Sequence, residues 1–286
     1  MSNGIRFRQN EEQSIEMLAA QRKLYDDAKA VDWISTAFSV WVPFILSILL
    51  IFVSQNSPLE VVSYIVSILS MIISLVVDSF IKKRKDLAAS IQQKFDIYVY
   101  QMPWNERLFG KNKNLNHAIA EHSKFMMSKA DEKNALYDWY TPMVDEKANN
   151  EGILACQREN QWWDVGIRKR YRCACICGMI ILLTVVFGMG IIRNEETLKL
   201  LWRLAFVVPM FQWLIDTVKQ LNEDIDNLKE LDEMINDETS KSMEDLQDIQ
   251  AKIYEHRKGC FTIPNFFYNI FKDNDEDNAH RAALRN

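Results

Sequence analysis

Four long apolar runs constrain the fold of this chain more than any other feature of its sequence. Each run is about 20 residues long, which is enough for a helix to cross a hydrocarbon layer of roughly 30 Å. Short polar connectors, QNSPLE and RNEET, join the first run to the second and the third to the fourth, which predicts two helical hairpins. The runs cover residues 34–54, 61–81, 173–192 and 198–218. The sequence therefore predicts an all-α membrane protein with four transmembrane helices and a helical cytoplasmic module.

The fourth run is the weakest of these predicted spans. It contains Arg203, Pro209, Gln212 and Asp216, which are costly or unusual inside a bilayer. A buried amphipathic helix is the alternative interpretation of this run.

The positions of basic residues predict the orientation of the spans. Positive charge accumulates on the cytoplasmic side of membrane proteins, and two basic clusters flank the long segment between the hairpins. These clusters are Lys82, Lys83, Arg84 and Lys85, and Arg168, Lys169, Arg170 and Arg172. Both termini and the segment between the hairpins are therefore predicted to be cytoplasmic. The predicted organisation is an N-terminal amphipathic helix, a first hairpin, a cytoplasmic insert, a second hairpin, and a stalk hairpin with a tail, at residues 1–33, 34–81, 82–172, 173–218 and 219–286.

Composition excludes several functional classes. A formal net charge of −5 does not favour a nucleic acid polymer as partner. Of five cysteines, three form a CxCxC pattern in the third run (Cys173, Cys175, Cys177), which argues against a disulfide framework. Residues two apart on a helix point in nearly opposite directions, so we interpret these cysteines as small packing residues rather than a metal site. The sequence contains no recognisable metal site, glycine-rich phosphate loop or nucleophile motif, which predicts a non-enzymatic protein without a cofactor.

Apolar periodicity predicts further helices outside the four runs. Spacing of 3 and 4 residues indicates helices over residues 9–33 and 114–135, and a continuation of the second run through Leu87, Ile91 and Phe95 as far as Pro103. The same spacing after the fourth run predicts a stalk helix and a second helix that folds back along it. The aromatic residues that follow, between 261 and 271, are expected to dock on the stalk or lie on the bilayer.

Two of the apolar runs carry a polar stripe along one helical face. Polar groups inside a membrane usually face protein or water, so one interpretation is a water-lined path with an acidic, cation-selective mouth. The alternative is helix packing through small hydroxyl side chains. The predicted pore-lining residues are Ser63, Ser67, Ser70, Ser74 and Asp78 in the second run and Gln212 and Asp216 in the fourth.

A charged, tryptophan-rich helix leads directly into the third run. Its polar face repeats at 3 and 4 residues, and Asp164 stands one turn before Arg168, where the two can pair. Aromatic faces beside arginines suit stacking on a nucleobase and pairing with phosphate. The alternative is a buried polar network that docks this helix on other cytoplasmic helices. The candidate ligand-binding residues are Arg158, Asn160, Trp163, Asp164, Arg168 and Tyr171.

Several stretches of the chain, in this order, resemble the SMODS-associated four-transmembrane effector family. They are RQNEE, AAQRKLYDDAK, IQQKFDIYVYQMPWN, WYTP and ACQRENQWWDVGIRKRYR, and together the resemblance covers essentially the whole chain. Ile167 stands where the family pattern has leucine, which is a neutral difference. The CQRxN–WWD–R–Y stretch is the most specific part of the match.

The resemblance implies a pore-forming effector of bacterial anti-phage defence, located in the inner membrane. Members of that family occur with cyclic-oligonucleotide synthases, which implies that a cyclic oligonucleotide triggers membrane disruption and abortive infection. A pore requires more than four short spans, so we expect a homo-oligomer in the lipid bilayer. The alternatives are a constitutive channel or transporter, a membrane scaffold that recruits a soluble partner, and, least favoured, a membrane enzyme.

Overall fold

The computed structural model describes residues 2–50, 58–109, 115–192, 197–237 and 241–271. All regular secondary structure in these residues is helical, which confirms the predicted all-α class. The helices are α1 (Ile5–Gln9), α2 (Glu12–Thr36), α3 (Val42–Leu50), α4 (Pro58–Tyr100), α5 (Glu106–Phe109), α6 (Asn116–Met127), α7 (Ala130–Asn134), α8 (Asn149–Ile192), α9 (Thr197–Asn236) and α10 (Met243–Gly259). A π-helical segment, Ala37–Trp41, joins α2 to α3, a 3₁₀ turn covers Pro142–Glu146, and residues 265–271 are again helical.

Three helices are far longer than the average of a globular domain. They are α4, α8 and α9, with 43, 44 and 40 residues. At about 1.5 Å per residue each extends about 60 Å or more, roughly twice the thickness of a hydrocarbon layer. Each runs without interruption from an apolar run into a charged segment, so all three connect two different environments.

The charged segments pack together as what we call the packed module, the described residues of 1–33, 82–172 and 219–271. There, α2 lies along α4 and α6, α8 lies along α9, and α10 contacts α4, α8 and α9. The fully buried side chains include Ile15 and Leu18 of α2, Phe95 of α4 and Ile153 of α8. The apolar face expected for α2 is buried, because Ile15, Leu18, Leu24 and Ala28 are all 0% exposed.

In the four apolar runs, which we call the apolar half, many of the described large apolar side chains are exposed instead, although Met210 of the fourth run is buried. Ile191 and Ile192 of α8 are 79% and 85% exposed, and Ile180, Ile181, Val61 and Val76 are exposed by more than half. Apolar surface of this extent marks contact with lipid or another protein. Among the described residues, α8 alone is both long and apolar enough to cross a membrane, with a mean hydropathy of 2.7 over its best window. Four spans in two hairpins remain a prediction, since the connectors at 51–57 and 193–196 lie outside the described residues.

Two sequence predictions differ from the structure in detail. The helix predicted over 114–135 is interrupted after Met127, because the backbone of Lys129 is extended before α7 begins at Ala130. The predicted stalk hairpin forms, because Leu228 and Leu231 of α9 pack with Ile249 and Ile253 of α10, but it does not stand apart from the rest of the module. Leu221 is buried as its spacing predicted and packs with residues of α8 and the tail, and α10 also packs on α4.

Candidate functional site at the membrane-proximal end of the module

A buried guanidinium contacts three parts of the chain where α8 approaches the apolar half. Arg168 lies on α8 with 5% of its side chain exposed, and its Nε is 3.0 Å from the Asp164 carboxylate one turn earlier. Its Nη1 donates to Asp224 of α9 at 2.5 Å and to the carbonyl of Phe261 at 3.1 Å. The backbone N–H of Phe261 donates to the same Asp224 carboxylate at 2.8 Å. We call this set of contacts the Arg168 network.

The Arg168 network extends to α10 through a histidine. Nε2 of His256 lies 2.6 Å from the second oxygen of Asp164. Burial alone would raise the pKa of the Asp164 carboxyl, but Arg168 and His256 outweigh it and hold this pKa well below its ordinary value. Burial would likewise lower the pKa of Arg168, yet the nearby Asp164 carboxylate raises it. Both groups are therefore charged at any physiological pH, and removing either would take one partner away from a buried charge.

A second buried polar cluster holds α10 on α4. Asp96 of α4 is completely buried and accepts a hydrogen bond from Tyr140 Oη at 2.6 Å. From α10, Gln250 donates to it at 2.9 Å and Arg257 at 2.5 Å. Gln157 of α8 joins the cluster by donating to Gln250. The cluster satisfies a carboxylate that would otherwise be costly to bury.

The sequence analysis missed most of the residues in both clusters. It did not single out Asp96, Asp224, Gln250, His256 or Arg257 as functional or structural candidates. The only available signal was on α10, where Gln250 and Arg257 fall on the same face as the buried Leu246 and Ile253. Periodicity can indicate that a polar residue is buried, but it does not identify a partner from a distant part of the chain.

The structure brings part of the predicted ligand-binding set together. Asp164 and Arg168 form the predicted pair, and Tyr171 follows on the same face, with its ring stacked 5.8 Å from that of Phe261. Trp163 lies 5.1 Å from the ring of Tyr268 in the tail.

The other two members of the set lie elsewhere on α8. Asn160 donates to Tyr140 Oη at 3.1 Å and so belongs to the Asp96 cluster. Nε of Arg158 is buried, and its guanidinium has no hydrogen bond or ion pair within the described part of the chain. The contacts of Asp164, Arg168 and Asn160 are those of a docking network, which was the alternative interpretation of this helix.

A cavity of about 260 Å³ lies beside the Arg168 network. Its walls are the last turns of α2, Tyr171 of α8, Trp213 of α9 and the tail residues that follow Cys260. Phe261 lines the cavity with its side chain while its backbone is held by Arg168 and Asp224. The cavity therefore contacts three helices that each continue into the apolar half.

Comparison with models of known protein families assigns the chain to one of them. The model of the SMODS-associating 4TM effector domain matches residues 3–285, nearly the whole length. The chain belongs to this effector family. The family resemblance seen in the sequence is thereby confirmed, and the 4TM designation together with the exposed apolar half identifies a membrane protein.

A bacterial relative supports the same grouping. The chain is 25% identical over 303 residues to a protein of Bacillus cereus (strain VD146) described as a probable CBASS effector molecule. The alignment covers 97% of this chain and 96% of the relative. No solved structure matches the chain.

The predicted pore-lining residues of this 4TM effector occupy two different helices. The backbones of Ser63, Ser67, Ser70 and Ser74 lie in α4, but their side chains lie outside what the structure describes. Asp78 is exposed near the end of the same apolar run. On α9, Gln212 donates to Asp216 one turn later at 2.9 Å. Their role in lining a pore remains a prediction.

The three cysteines of the CxCxC pattern differ in their burial. Cys175 is buried, whereas Cys173 and Cys177 are exposed, so the three thiols do not share a face of α8. Within the described residues no group of three or more histidine, cysteine or acidic side chains is arranged to hold a metal ion.

Proposed function

We propose that this chain is a membrane-disrupting, pore-forming effector of bacterial anti-phage defence, triggered by a cyclic oligonucleotide. It would act without catalysis and without a cofactor, as a homo-oligomer in the inner membrane with both termini in the cytoplasm. Membership of a family named for its association with SMODS proteins supports the defence role, as does similarity to a probable CBASS effector. Opening of the pore would kill the infected cell before phage are released.

The observation that carries this proposal is the continuity of α8. Its first half is fixed in the packed module by Arg168, and its second half, beginning at Cys173, is an exposed apolar segment. A rigid helix transmits a displacement of one end to its other end. Packed elements also switch between discrete arrangements rather than deform gradually. A ligand that rearranged the module would therefore move an element in contact with lipid.

The trigger would bind on the cytoplasmic side, at or near the juxtamembrane part of α8. Support comes from Arg158, a half-buried cation without a carboxylate partner in the described residues, and from Trp163, whose indole lies on the surface formed with Tyr268. Arginine and aromatic groups recognise phosphates and bases respectively. Ligand binding opens a pore only if the open state binds the ligand more tightly than the closed state.

The test is permeability of living bacteria that express the effector with or without a cyclic-oligonucleotide synthase. We expect uptake of a membrane-impermeant dye only when both proteins are present. Arg158→Ala should reduce dye uptake at least tenfold without changing the amount of protein in the membrane. Arg107→Ala, which removes an exposed arginine of α5, is the matched control and should behave like the wild type.

Two outcomes would overturn parts of this proposal. Equal dye uptake by the Arg158 and Arg107 variants would remove Arg158 from the trigger site. Death of cells with intact membranes would contradict membrane disruption and favour a scaffold that recruits a soluble partner.

A further inference from the structure

The cavity beside the Arg168 network contains a carboxylate that has no hydrogen-bonding partner among the described residues. Asp32 lines the cavity near the end of α2, one residue before Trp33. Among the described residues it accepts no hydrogen bond and forms no ion pair. Burial raises the pKa of this carboxyl to about 6, and the nearby Asp78 adds to that effect against the opposing charge of Lys85. A carboxylate in this position is stabilised by a cation.

The charges around the cavity also favour a cation. Two carboxylates, Asp26 and Asp32, line it against one ammonium group, that of Lys29. Lys29 is already engaged, because its Nζ donates to Asn265 at 2.7 Å and lies 5.5 Å from the centre of the Tyr268 ring. The neighbouring Lys85 of α4 partly offsets the charge of Asp32, but it donates its hydrogen bond to the carbonyl of Cys260. Within the described part of the chain, no cation forms an ion pair with Asp32.

Aromatic rings form the other walls. Trp33, Tyr171, Trp213, Phe261 and Phe266 all line the cavity. The negative faces of aromatic rings attract organic cations, and quaternary or primary ammonium groups are bound in proteins by this combination of rings and a carboxylate. A metal ion would instead require several oxygen ligands at short distance, which one free carboxylate does not provide.

The position of the cavity identifies the source of the cation. Trp33 stands immediately before the first apolar run, Tyr171 stands just before the third, and Trp213 lies in the last turns of the fourth. Tryptophan and tyrosine at such positions mark the level of the lipid headgroups. Trp33 and Ile34 are also 47% and 55% exposed, so the wall of the cavity continues into surface that would face lipid.

We propose that this cavity binds an organic ammonium ion, supplied by the headgroup of an aminophospholipid such as phosphatidylethanolamine. The ammonium group pairs with Asp32, and Trp33 and Trp213 provide the aromatic walls. The site shares Tyr171 with the predicted ligand-binding set but includes neither Arg158 nor Trp163, and the proposal does not depend on the identity of the trigger.

The test measures lipid binding to the full-length protein in maltoside micelles by native mass spectrometry. Phosphatidylethanolamine is compared with phosphatidylglycerol carrying the same acyl chains, so that only the headgroup differs. We expect the wild type to bind phosphatidylethanolamine at least tenfold more tightly. Asp32→Asn, which keeps the size of the side chain, should abolish that preference, and Trp33→Leu should weaken it several-fold.

A matched control separates the site from general effects of charge. Asp226→Asn removes an exposed carboxylate of α9 that pairs with Lys229 and does not line the cavity, and it should leave the preference unchanged. Circular dichroism checks that all variants remain folded. An unchanged preference in Asp32→Asn, or equal binding of both lipids by the wild type, would overturn the proposal.

A further arm distinguishes the lipid from a soluble amine. Free ethanolamine at millimolar concentration should compete weakly with phosphatidylethanolamine, because the acyl chains contribute to binding of the lipid but not of the amine. If ethanolamine alone bound as tightly as the lipid, the headgroup assignment would be wrong and the cavity would be a site for soluble amines.

Discussion

The two halves of α8 have different surroundings although they form one continuous helix. From Asn149 to Arg172, apolar residues such as Ile153 and Cys156 are fully buried, and polar residues such as Asp164 and Arg168 have partners on α9, α10 and the tail. From Cys173 to Ile192, most large apolar side chains are exposed. Other helices and the tail of the same chain shield the first half from solvent. The second half requires lipid or other subunits to cover it.

Different forces stabilise the two halves. In the packed module, buried charges with specific partners fix how the helices pack, and removing one partner strongly destabilises the fold. In the apolar half, stability depends on transfer of side chains into hydrocarbon, which is not sensitive to any single contact. Variants in the two halves should therefore fail in different assays, and the following predictions are ordered by expected effect.

Removal of Arg168 should have the largest effect. Arg168→Met leaves Asp164 and Asp224 buried without their shared partner, which should cost about 3–5 kcal/mol of unfolding free energy. Thermal unfolding of the purified protein in detergent measures this loss. Arg172→Met is the control, because Arg172 contacts Asn222 at the surface, and it should change the free energy by less than about 1 kcal/mol. Similar melting of both variants would show that the network contributes no specific stability.

A charge placed in the apolar half should affect insertion instead. Ile181→Lys puts an ammonium group on the exposed face of α8, at a cost of about 2.5–3.5 kcal/mol if that face lies in hydrocarbon. The amount of protein in the membrane fraction should fall, and Ile181→Leu should behave like the wild type. Normal insertion of the lysine variant would mean that this face contacts water, as in a pore.

The raised pKa of Asp32 makes the free energy of unfolding depend on pH. Its folded-state pKa of about 6 lies above the ordinary value of 3.8, so ionisation opposes folding, and this cost grows between about pH 4 and pH 6 and is complete above pH 6. In lipid-free detergent, Asp32→Asn should stabilise the protein by about 3 kcal/mol at pH 7.5. Below about pH 3 both side chains are neutral in the folded and unfolded states, and the difference should vanish. Melting curves at both pH values check the sign, and destabilisation at pH 7.5 would indicate an overlooked partner for Asp32.

The smallest effect is expected at the start of α10. The hydroxyl of Ser242 accepts a hydrogen bond from the Asp245 backbone at 3.2 Å, and the Asp245 carboxylate accepts one from the Ser242 backbone at 2.8 Å. Ser242→Ala should cost about 1 kcal/mol, because it removes one side of this capping box. The loss should appear in melting of the packed module and not in membrane insertion. A change in insertion would show that the two halves fold as one unit.

Features that depend on spacing along one helix can be predicted from the sequence, whereas contacts between distant parts of the chain cannot. The helices and the pairing of Asp164 with Arg168 were predictable, because both depend on spacing along one helix. The partners of that pair, Asp224 and His256, were not, since their proximity depends on how α9 and α10 return to α8. The cavity could not be predicted from the sequence either, because α2, α8, α9 and the tail meet there only after folding.

The most direct test of the account is release of dye and ions from liposomes that contain the purified effector, with and without a panel of cyclic di- and trinucleotides. Coupling between the packed module and the bilayer through α8 predicts release with one nucleotide and none without it. Release without any nucleotide would contradict ligand gating. No release from correctly inserted protein under any condition would contradict pore formation itself.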